Sequence, residues 1–494
     1  MTAPPRFVAC LREDGRRILD PFGPGYAAFA ADELASLLEQ HGCAPPPELS
    51  ATDMRALWRG PLPLPGLGLA AARAIAARLV VCELYEELCG GATLDAALAA
   101  VGTGVEACEG RIVEPDLPKV VSWGRRLGMK VKRRHSTATL DAVLAATGGG
   151  AAAAATAAAT AAAAAAAPRT MLALLITHGM SEARFADLAA TEKVGGDRHA
   201  GQPLRWAVAA RVSGAAAMLA TLARQAVAAR PLCGSTPIKP ELSFIMANLA
   251  RVRRGSLCVD PFCGTGSLLM AAAALGAHTL GTDIDVATLL GTGCASGEGS
   301  DVGAGTRANC ASVSGSEREE GPAPELVGCD VLSARHPCLR LRRLVDCIIT
   351  DPPYGLRHPE WRTSVPDGAL DADEGATEAE AAAGEAQRQR RRTTTRADHE
   401  QLHALQLQVY TKVFELAAGL LVSGGRLVFL FPLKAATSDE LGLGEAGREL
   451  PVFQPESEHG EWGAARAGFT FVACARQRFQ NMDRYACAYE WRGQ

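Results

Sequence analysis

Two short segments in the second half of the chain combine residue types that are suited to chemistry. Residues 259–267 read Val-Asp-Pro-Phe-Cys-Gly-Thr-Gly-Ser, and residues 348–355 read Ile-Ile-Thr-Asp-Pro-Pro-Tyr-Gly. The glycines of the first segment let a ligand approach the backbone closely, because glycine has no Cβ atom. The second segment places a carboxylate, two rigid prolines and an aromatic ring after an apolar run. Together they predict a turn that holds S-adenosylmethionine beside a site that presents an amine to its methyl group.

The predicted catalytic residues are Asp351, Pro352, Pro353 and Tyr354. The exocyclic amine of guanine is a poor nucleophile, because its lone pair is delocalised into the ring. To attack a methyl sulfonium the nitrogen must become pyramidal, and Asp351 and the carbonyl of Pro352 can each accept one of its N–H groups. The prolines fix φ and make the turn rigid, and Tyr354 can stack on a flipped base. A plain Asp-Pro-Pro terminator of a strand is the weaker alternative.

Four predicted strands end in an aspartate, namely residues 257–260, 278–283, 326–330 and 347–351. Aspartate is a poor strand residue, and ligands of open parallel sheets bind at the carboxyl ends of the strands. We expect the first of these aspartates to pair with the methionine ammonium group of the cofactor. We expect Asp283 to accept the ribose hydroxyls, with Asp285 as its competitor, and Asp330 to accept the adenine amino group. The predicted cofactor-binding residues are Asp260, Phe262, Gly264, Gly266, Asp283 and Asp330.

Each cofactor residue also has a structural interpretation. The glycine segment fits an ordinary tight turn between a strand and a helix, and Asp283 and Asp330 fit surface aspartates at strand ends. The order of the two segments, with acidic strand ends between them, favours the functional interpretation.

The composition predicts a globular protein without an overall attraction to nucleic acid. The chain has 494 residues, of which 48% are hydrophobic and 21% charged, and its formal net charge is −4. This length predicts two or three domains. Any contact with RNA must therefore come from a local basic surface.

The cysteines indicate the cellular compartment. There are fifteen, and no two stand in a CxxC pair, which favours reduced thiols in a cytosolic or nuclear protein. The ten histidines show no ligand spacing with them, so no metal site is predicted.

The start of the chain lacks the apolar core of a signal peptide, and the alanine stretch at 151–167 is too weakly hydrophobic to favour a membrane span. We expect a cytoplasmic protein.

The composition along the chain predicts its division into domains. Residues 1–143 form a small α/β module, with a helix at 29–41 that Asp32 caps and a strand that runs into a helix at 79–88. An alanine- and glycine-rich linker or insertion follows. The boundaries are 1–143, 144–168 for the linker, 169–230 for the end of the RNA-binding region and the connector, and 231–494 for the catalytic domain.

The catalytic domain is predicted to be an α/β fold. Apolar strands alternate with helices, which indicates a mostly parallel sheet with helices on both faces. Two polar insertions, near 291–324 and 364–398, are predicted to be disordered. The second contains a basic run at 388–396, which we expect to be a solvated loop rather than the main RNA contact.

A family resemblance is carried by several segments of the catalytic domain. They are Gly234-Ser-Thr-Pro-Ile-Lys-Pro-Glu-Leu-Ser-Phe-Ile-Met-Ala-Asn248, the glycine segment, Gly281-Thr-Asp-Ile-Asp285, Thr350-Asp-Pro-Pro-Tyr-Gly-Leu-Arg357, Gly424-Gly-Arg-Leu-Val-Phe429 and Met482-Asp-Arg484. This chain resembles the class I amino-methyltransferases of the THUMP-type tRNA (guanine(10)-N2)-methyltransferase family. The resemblance is specific over about residues 205–360 and weaker at the N-terminus. It departs from the family at Thr236-Pro-Ile-Lys239, where Thr-Ser-Met-Asp is usual.

The resemblance implies a Rossmann-like class I methyltransferase domain preceded by an α+β THUMP-like RNA-binding region. It implies S-adenosylmethionine as cofactor and the N2 amine of a guanosine in tRNA, at position 10, as the methylated group. It also implies a small zinc-containing activator protein as a partner of the catalytic subunit.

Three other functions remain open. A DNA adenine or cytosine amino-methyltransferase also uses Asp-Pro-Pro-Tyr, but it would need a DNA-recognition domain, whereas here the extra module precedes the catalytic domain. A protein-amine methyltransferase favours Asn at the position of Asp351. A non-catalytic RNA-binding scaffold of the same fold is disfavoured by the intact glycines and the intact Asp351–Tyr354 segment.

Overall fold

We analysed a computed structural model of the chain. It describes residues 7–12, 29–49, 57, 61–103, 119–123, 129–146, 172–178, 203–212, 215–232, 238–291, 305–311, 324–332, 343–354, 396–434, 449–450, 453, 467–478 and 482–493. The predicted linker from residue 147 onward, residues 233–237, and residues 364–395 of the insertion predicted at 364–398 lie outside these residues.

The N-terminal region is built on one mixed sheet of six strands within the described part of the chain. The strands are β1 Phe7–Leu11, β2 Leu62–Pro63, β3 Cys82–Gly91, β4 Lys119–Trp123, β5 Leu172–His178 and β6 Pro203–Arg211. Their order across the sheet is β2-β1-β3-β6-β5-β4. β4 and β5, which lie on either side of residues 144–168 in the chain, pair in parallel with each other.

Four helices accompany this sheet, and a fifth leads out of it. They are α1 Ala30–Gln40, α2 Leu69–Ala76, α3 Leu94–Ala99, α4 Met129–Ala146 and α5 Ala215–Arg224, with short 3-10 turns at Pro47–Leu49 and Val227–Ala229. The buried face of α1 is formed by apolar residues at helical spacing.

Two details of the module differ from the predictions. The segment 79–88 does not become helical, because from Cys82 it forms β3, which pairs with strands on both sides. The N-cap of α1 is Phe29, and Asp32 lies inside the first turn, so Asp32 is not the cap. In both cases tertiary pairing and burial override the local pattern.

The catalytic domain is built on a second sheet of seven strands, counted over the described residues. The strands are β7 Leu257–Asp260, β8 His278–Asp283, β9 Glu325–Gly328, β10 Val345–Thr350, β11 Leu421–Lys434, β12 Phe469–Arg478 and β13 Met482–Trp491. Their order is β12-β13-β11-β10-β7-β8-β9. Each pair of neighbours in the row β9-β8-β7-β10-β11 is parallel, whereas β13 runs antiparallel to β11 and β12.

The helices of this domain connect its strands. They are α6 Pro240–Leu249, α7 Ser267–Ala274, α8 Val286–Leu290, α9 Thr306–Ala311 and α10 Arg396–Leu420. The chain runs outward from β7 to β9 and then returns to the other side of β7 to form β10. The strand order therefore reverses between β7 and β10, and the carboxyl ends of the strands at such a point are the usual ligand site of open α/β sheets. The predicted Rossmann-like α/β fold with a preceding α+β region is confirmed.

Both predicted disordered insertions contain ordered residues, since residues 396–398 of the second belong to α10. Residues 306–311, inside the stretch 291–324, form α9. The prediction of disorder is therefore wrong for these residues. Thr306, Asn309 and Cys310 of this helix are buried.

The two sheets share a continuous apolar core and a buried polar contact. Asn248 of α6 donates to Glu33 of α1 at 2.8 Å, and it accepts a hydrogen bond from Arg78 at 2.8 Å. Arg426 of β11 donates to Ser36 of α1 at 3.0 Å. Burial raises the pKa of Glu33, although backbone N–H groups and Asn248 oppose that shift. These contacts fix the N-terminal region against the catalytic sheet.

Ten of the described cysteines have free thiols, and nine of these are buried, as the composition predicts. Cys329 differs, because it is disulfide-bonded. Among the helices in the described ranges, none is long and apolar enough to cross a bilayer.

Candidate active site

The two chemical segments meet on neighbouring strands at the centre of the catalytic sheet. Asp260 ends β7, Asp351 directly follows β10, and these two strands pair in parallel. The hydroxyl of Thr350 donates to Asp260 Oδ1 at 2.8 Å. Both strands are apolar and buried apart from their ends, so their carboxyl termini bring the polar groups to one edge of the sheet.

The two glycines of the turn have a left-handed backbone conformation. Gly264 and Gly266 have φ values of 47° and 82°, which side-chain-bearing residues rarely adopt. A Cβ atom on Gly266 would lie 2.7 Å from the Thr306 methyl group, whereas one on Gly264 would meet nothing within 4 Å. Gly266 therefore permits close packing of the turn against α9. Gly264 faces open space, in which a ligand can approach the backbone.

Asp283 braces this turn from the next strand. Its Oδ2 accepts a hydrogen bond from the Gly264 N–H at 2.8 Å, and its Oδ1 accepts from the Asp285 N–H at 2.9 Å. The competitor Asp285 has a different task, because its carboxylate caps α8 by accepting from the backbone and hydroxyl of Thr288. Those hydrogen bonds lower the pKa of Asp285. Of the two carboxylates, Asp283 is the one in contact with the glycine turn.

Asp260 is almost fully buried, at 1% exposure, and burial raises its pKa to about 7. The hydrogen bonds from Thr350 and from the Phe262 N–H, the latter at 3.1 Å, oppose this shift. The nearby charges of Asp283 and Asp351 raise the pKa further. A cation at this edge would relieve the repulsion among the three carboxylates.

The Asp-Pro-Pro-Tyr segment forms a closed turn. The Tyr354 hydroxyl donates to Asp351 Oδ1 at 2.6 Å. Burial raises the pKa of Asp351 to about 6, while the hydrogen bond from Tyr354 and the positive charge of Arg484 oppose the shift. The turn thus holds a partly buried carboxylate, with an aromatic ring beside it and the Pro352 backbone between them.

The two remaining predicted cofactor residues lie in different surroundings. Phe262 is half-buried and packs against the core cluster that contains Phe429 and Tyr489. Asp330 is exposed beyond the end of β9, and its Oδ1 accepts from the Leu332 N–H at 3.0 Å. The Gly264–Asp283 hydrogen bond and the charge interaction between Asp283 and Asp260 therefore relate these three residues without Asp330.

Sequence reasoning missed the residues that support the glycine turn from behind. Asn309 of α9 donates to the carbonyls of Thr265 and Leu232, both at 2.8 Å, and accepts from the Leu232 N–H at 2.8 Å. Thr306 donates to the Gly264 carbonyl at 2.7 Å. Arg230 donates to the Ser267 hydroxyl at 2.7 Å. The sequence pattern that could have indicated the helix α9 is the run Thr-Arg-Ala-Asn-Cys at 306–310, which has no glycine or serine in a stretch otherwise rich in both.

Arg484 is the other functional candidate that sequence reasoning did not assign to the site. It lies in β13, pairs across the sheet with Pro432 of β11, and hydrogen-bonds Tyr354. Within the described ranges, no group of three or more His, Cys, Asp or Glu side chains is arranged to hold a metal ion.

The catalytic region matches known methyltransferases in sequence. Residues 228–364 match the family model described as RMKL-like, methyltransferase domain. The tRNA (guanine(10)-N(2))-methyltransferase TRMT11 of Gallus gallus is 32% identical over 204 residues, which are 41% of this chain and 40% of that protein. The protein of the same name from Rattus norvegicus is 34% identical over 204 residues, with the same coverage. That from Bos taurus is 39% identical over 134 residues, which are 27% of this chain and 28% of the relative.

These alignments confirm the predicted family resemblance for the catalytic region. The aligned part spans only about 40% of the length of the first two relatives. Among solved structures, TrmN from Thermus thermophilus aligns with 98% of this chain and 99% of its own, at 13% identity and a TM-score of 0.37. An rRNA methylase from Streptococcus thermophilus covers 53% of this chain and 100% of its own, at 15% identity and a TM-score of 0.25. At these TM-scores neither structure is used to infer the function of this chain.

Proposed function

We propose that this protein is an S-adenosylmethionine-dependent tRNA methyltransferase that methylates the exocyclic N2 amine of a guanosine, at tRNA position 10. One observation carries the proposal. The glycine turn and the Asp-Pro-Pro-Tyr turn end neighbouring central strands, and the Thr350 hydroxyl joins them through Asp260 at 2.8 Å. A methyl donor held by the first turn would therefore lie beside an amine held by the second.

The residues at the first turn fit the proposed cofactor. The open side of Gly264 admits a ligand to the backbone, and Asp260 offers a buried carboxylate to the methionine ammonium group. Asp283 accepts only one backbone N–H at each oxygen in the hydrogen bonds described above. Since a carboxylate oxygen has two lone-pair positions, each can also accept a ribose hydroxyl. When bound, S-adenosylmethionine supplies an electrophilic methyl group, and the match to a methyltransferase domain agrees with this cofactor.

The residues of the second turn would position the amine. Asp351 accepts one N–H as the nitrogen becomes pyramidal, and the carbonyl of Pro352 accepts the other. Tyr354 provides the ring on which the flipped guanine stacks. The proton leaves after the nitrogen has become cationic, so Asp351 does not have to be a strong base. Its interaction strengthens toward the transition state, which is the condition for a catalytic contribution.

The relatives support tRNA as the substrate, since those aligned with the catalytic region are named tRNA (guanine(10)-N(2))-methyltransferases. The N-terminal sheet would supply the THUMP-like RNA-binding region, and its buried contacts to the catalytic domain would hold a bound tRNA in register with the site. A cytoplasmic location belongs to the same proposal.

The direct test is methyl transfer from labelled S-adenosylmethionine to unmodified tRNA transcripts, with duplex DNA as the competing substrate. We expect N2-methylguanosine in the tRNA nucleosides by mass spectrometry and no label in DNA. A transcript with adenosine in place of guanosine 10 is the matched control and should stay unlabelled. Label in DNA, or in tRNA at an adenine or cytosine amine, would contradict the proposal.

We also propose that a small zinc-containing activator protein binds the outer edge of the catalytic sheet. The edge strand β9 and its neighbour α8 expose an apolar surface, formed by Ile284 at 72% exposure, Val286 at 46%, Leu290 at 63% and Val327 at 38%. Exposed apolar groups beside an edge strand are typical of strand-addition interfaces. Val327→Glu should abolish co-purification with the activator, whereas Leu344→Glu, at an exposed apolar residue outside this surface, should preserve it. Equal binding by both variants would exclude this surface.

A further inference from the structure

We propose that Arg484 is a positioning residue of the amine-presenting turn, and that it acts on Asp351 through the hydroxyl of Tyr354. This inference rests on the proposed function and extends it to a strand far away in the chain.

The topology of the sheet explains why a residue so close to the C-terminus reaches the site. Because β13 runs antiparallel to β11, its first residues lie at the same edge as the carboxyl ends of the parallel strands. Thr350 pairs with Phe429 of β11, and Arg484 pairs with Pro432 further along the same strand. Arg484 therefore lies level with the turn that follows Thr350, one strand beyond β11.

The contacts connect three side chains in a row. Arg484 hydrogen-bonds Tyr354, and since a guanidinium has only donors, the phenolic oxygen is the acceptor. Tyr354 in turn donates its proton to Asp351 Oδ1 at 2.6 Å. The guanidinium thus orients the hydroxyl toward the carboxylate and fixes the ring. Because Oδ1 already accepts from the phenol, we expect Oδ2 to accept the substrate amine.

A second arginine of the same hairpin has a different role. Arg476 of β12 forms a buried ion pair with Asp483, the residue that precedes Arg484. Successive side chains of a strand point to opposite faces, so Asp483 and Arg484 project to opposite faces of the sheet. Arg484 is thereby directed to the Asp351–Tyr354 turn while Asp483 is neutralised by Arg476.

The charge of Arg484 affects whether Asp351 is ionised. Burial raises the pKa of this carboxyl group to about 6, and Arg484 and Tyr354 oppose the shift. Among the described residues, Asp260 of β7 and Tyr410 of α10 also interact electrostatically with this turn. Without Arg484 the pKa of Asp351 would rise, and a protonated carboxyl group accepts an amine N–H less well. Activity should then be lost at a higher pH than in the wild type.

The test is the pH dependence of single-turnover methylation of a tRNA transcript by the full-length protein. The variants are Arg484→Met, Arg484→Lys, Tyr354→Phe and the double variant Arg484→Met/Tyr354→Phe. Arg492→Met is the matched control, because it removes an arginine just beyond the other end of the same strand, where the side chain is 62% exposed. Calorimetric binding of S-adenosylhomocysteine reports folding and the cofactor site independently of catalysis.

For Arg484→Met we expect the acidic limb of the rate profile to move up by about one pH unit, the effect of removing a nearby opposite charge. Arg484→Lys keeps the positive charge, so its acidic limb should lie close to that of the wild type, and Arg492→Met should show no shift. Arg484→Met should cause a smaller shift in the Tyr354→Phe background than in the wild type. S-adenosylhomocysteine affinity should stay within about twofold for every variant.

An unmoved acidic limb in Arg484→Met, with cofactor binding intact, would overturn the inference. Additive shifts in the double variant would also overturn it, because they would show that Arg484 does not act through Tyr354. If Arg484→Met does not fold, Tyr354→Phe decides, because Arg484→Lys keeps the charge and is expected to resemble the wild type. A wild-type profile in Tyr354→Phe would then refute the role. Failure of the wild-type protein to methylate tRNA is a separate result that refutes the proposed function.

Discussion

Asn309 offers the sharpest test of how the glycine turn is held, because one buried amide joins three backbone groups. It donates to the carbonyls of Thr265 and Leu232 and accepts from the Leu232 N–H, each at 2.8 Å. The side chain is fully buried. Asn309→Ala removes all three hydrogen bonds and leaves the three backbone groups in an enclosed space.

The size of the effect follows from these contacts. A hydrogen bond contributes about 0.5–1.5 kcal/mol net, and an unsatisfied buried group costs about 1–3 kcal/mol. Because water or a small shift of the connector can satisfy part of the loss, we expect the free energy of unfolding to fall by about 2–4 kcal/mol, which is large for one substitution. S-adenosylhomocysteine should also bind more weakly, since Thr265 belongs to the turn that holds it.

The assay combines urea unfolding with calorimetric titration of S-adenosylhomocysteine. Arg307→Ala is the control, because Arg307 lies exposed on the same helix. It should change the free energy of unfolding by less than about 0.5 kcal/mol, as is usual for surface substitutions. A similarly small change for Asn309→Ala, with unchanged affinity, would refute the role of α9 as the support of the turn.

Four further predictions follow from the site. Asp351→Ala should lower the single-turnover rate by on the order of a hundredfold or more with cofactor affinity unchanged, and a near wild-type rate in this variant would leave Asp351 as a structural terminator of the strand. The rate of the wild-type protein should decrease as the pH falls below about 6, where the carboxyl group of Asp351 is protonated. Asp283→Ala should weaken S-adenosylhomocysteine binding by about 1–3 kcal/mol, measured by calorimetry, whereas Asp285→Ala should not; the reverse order would move the ribose contact to Asp285. The affinity for S-adenosylhomocysteine should decrease as the pH falls through about 7, because protonated Asp260 cannot pair with an ammonium group; a flat titration of a folded protein between pH 6 and 8 would contradict that pairing. Deletion of residues 364–395 should leave tRNA affinity and its salt dependence nearly unchanged in a filter-binding assay, and a much shallower salt slope would show that the basic run contacts phosphates.

The sequence by itself determined the parts of the site that local chemistry encodes. Gly264 and Gly266 lie in the turn between a strand and a helix, and the carboxylates of Asp260 and Asp351 lie at the ends of apolar, mostly buried strands. These features depend on neighbours in the chain, so the residue types and their spacing were sufficient to predict them. The alternation of strands and helices likewise predicted the fold of the catalytic domain.

Only the tertiary structure decided which distant residues support these groups. Asn309 reaches Leu232, and Arg484 reaches Tyr354, through contacts whose partners are far apart in the chain. The same holds for β3, where pairing with β1 and β6 overrides a local pattern that resembles a helix. Such contacts exist because the strand order and the antiparallel direction of β13 bring separate segments to one edge of a sheet. A local pattern contains no information on that arrangement, because it arises only when the whole core is buried.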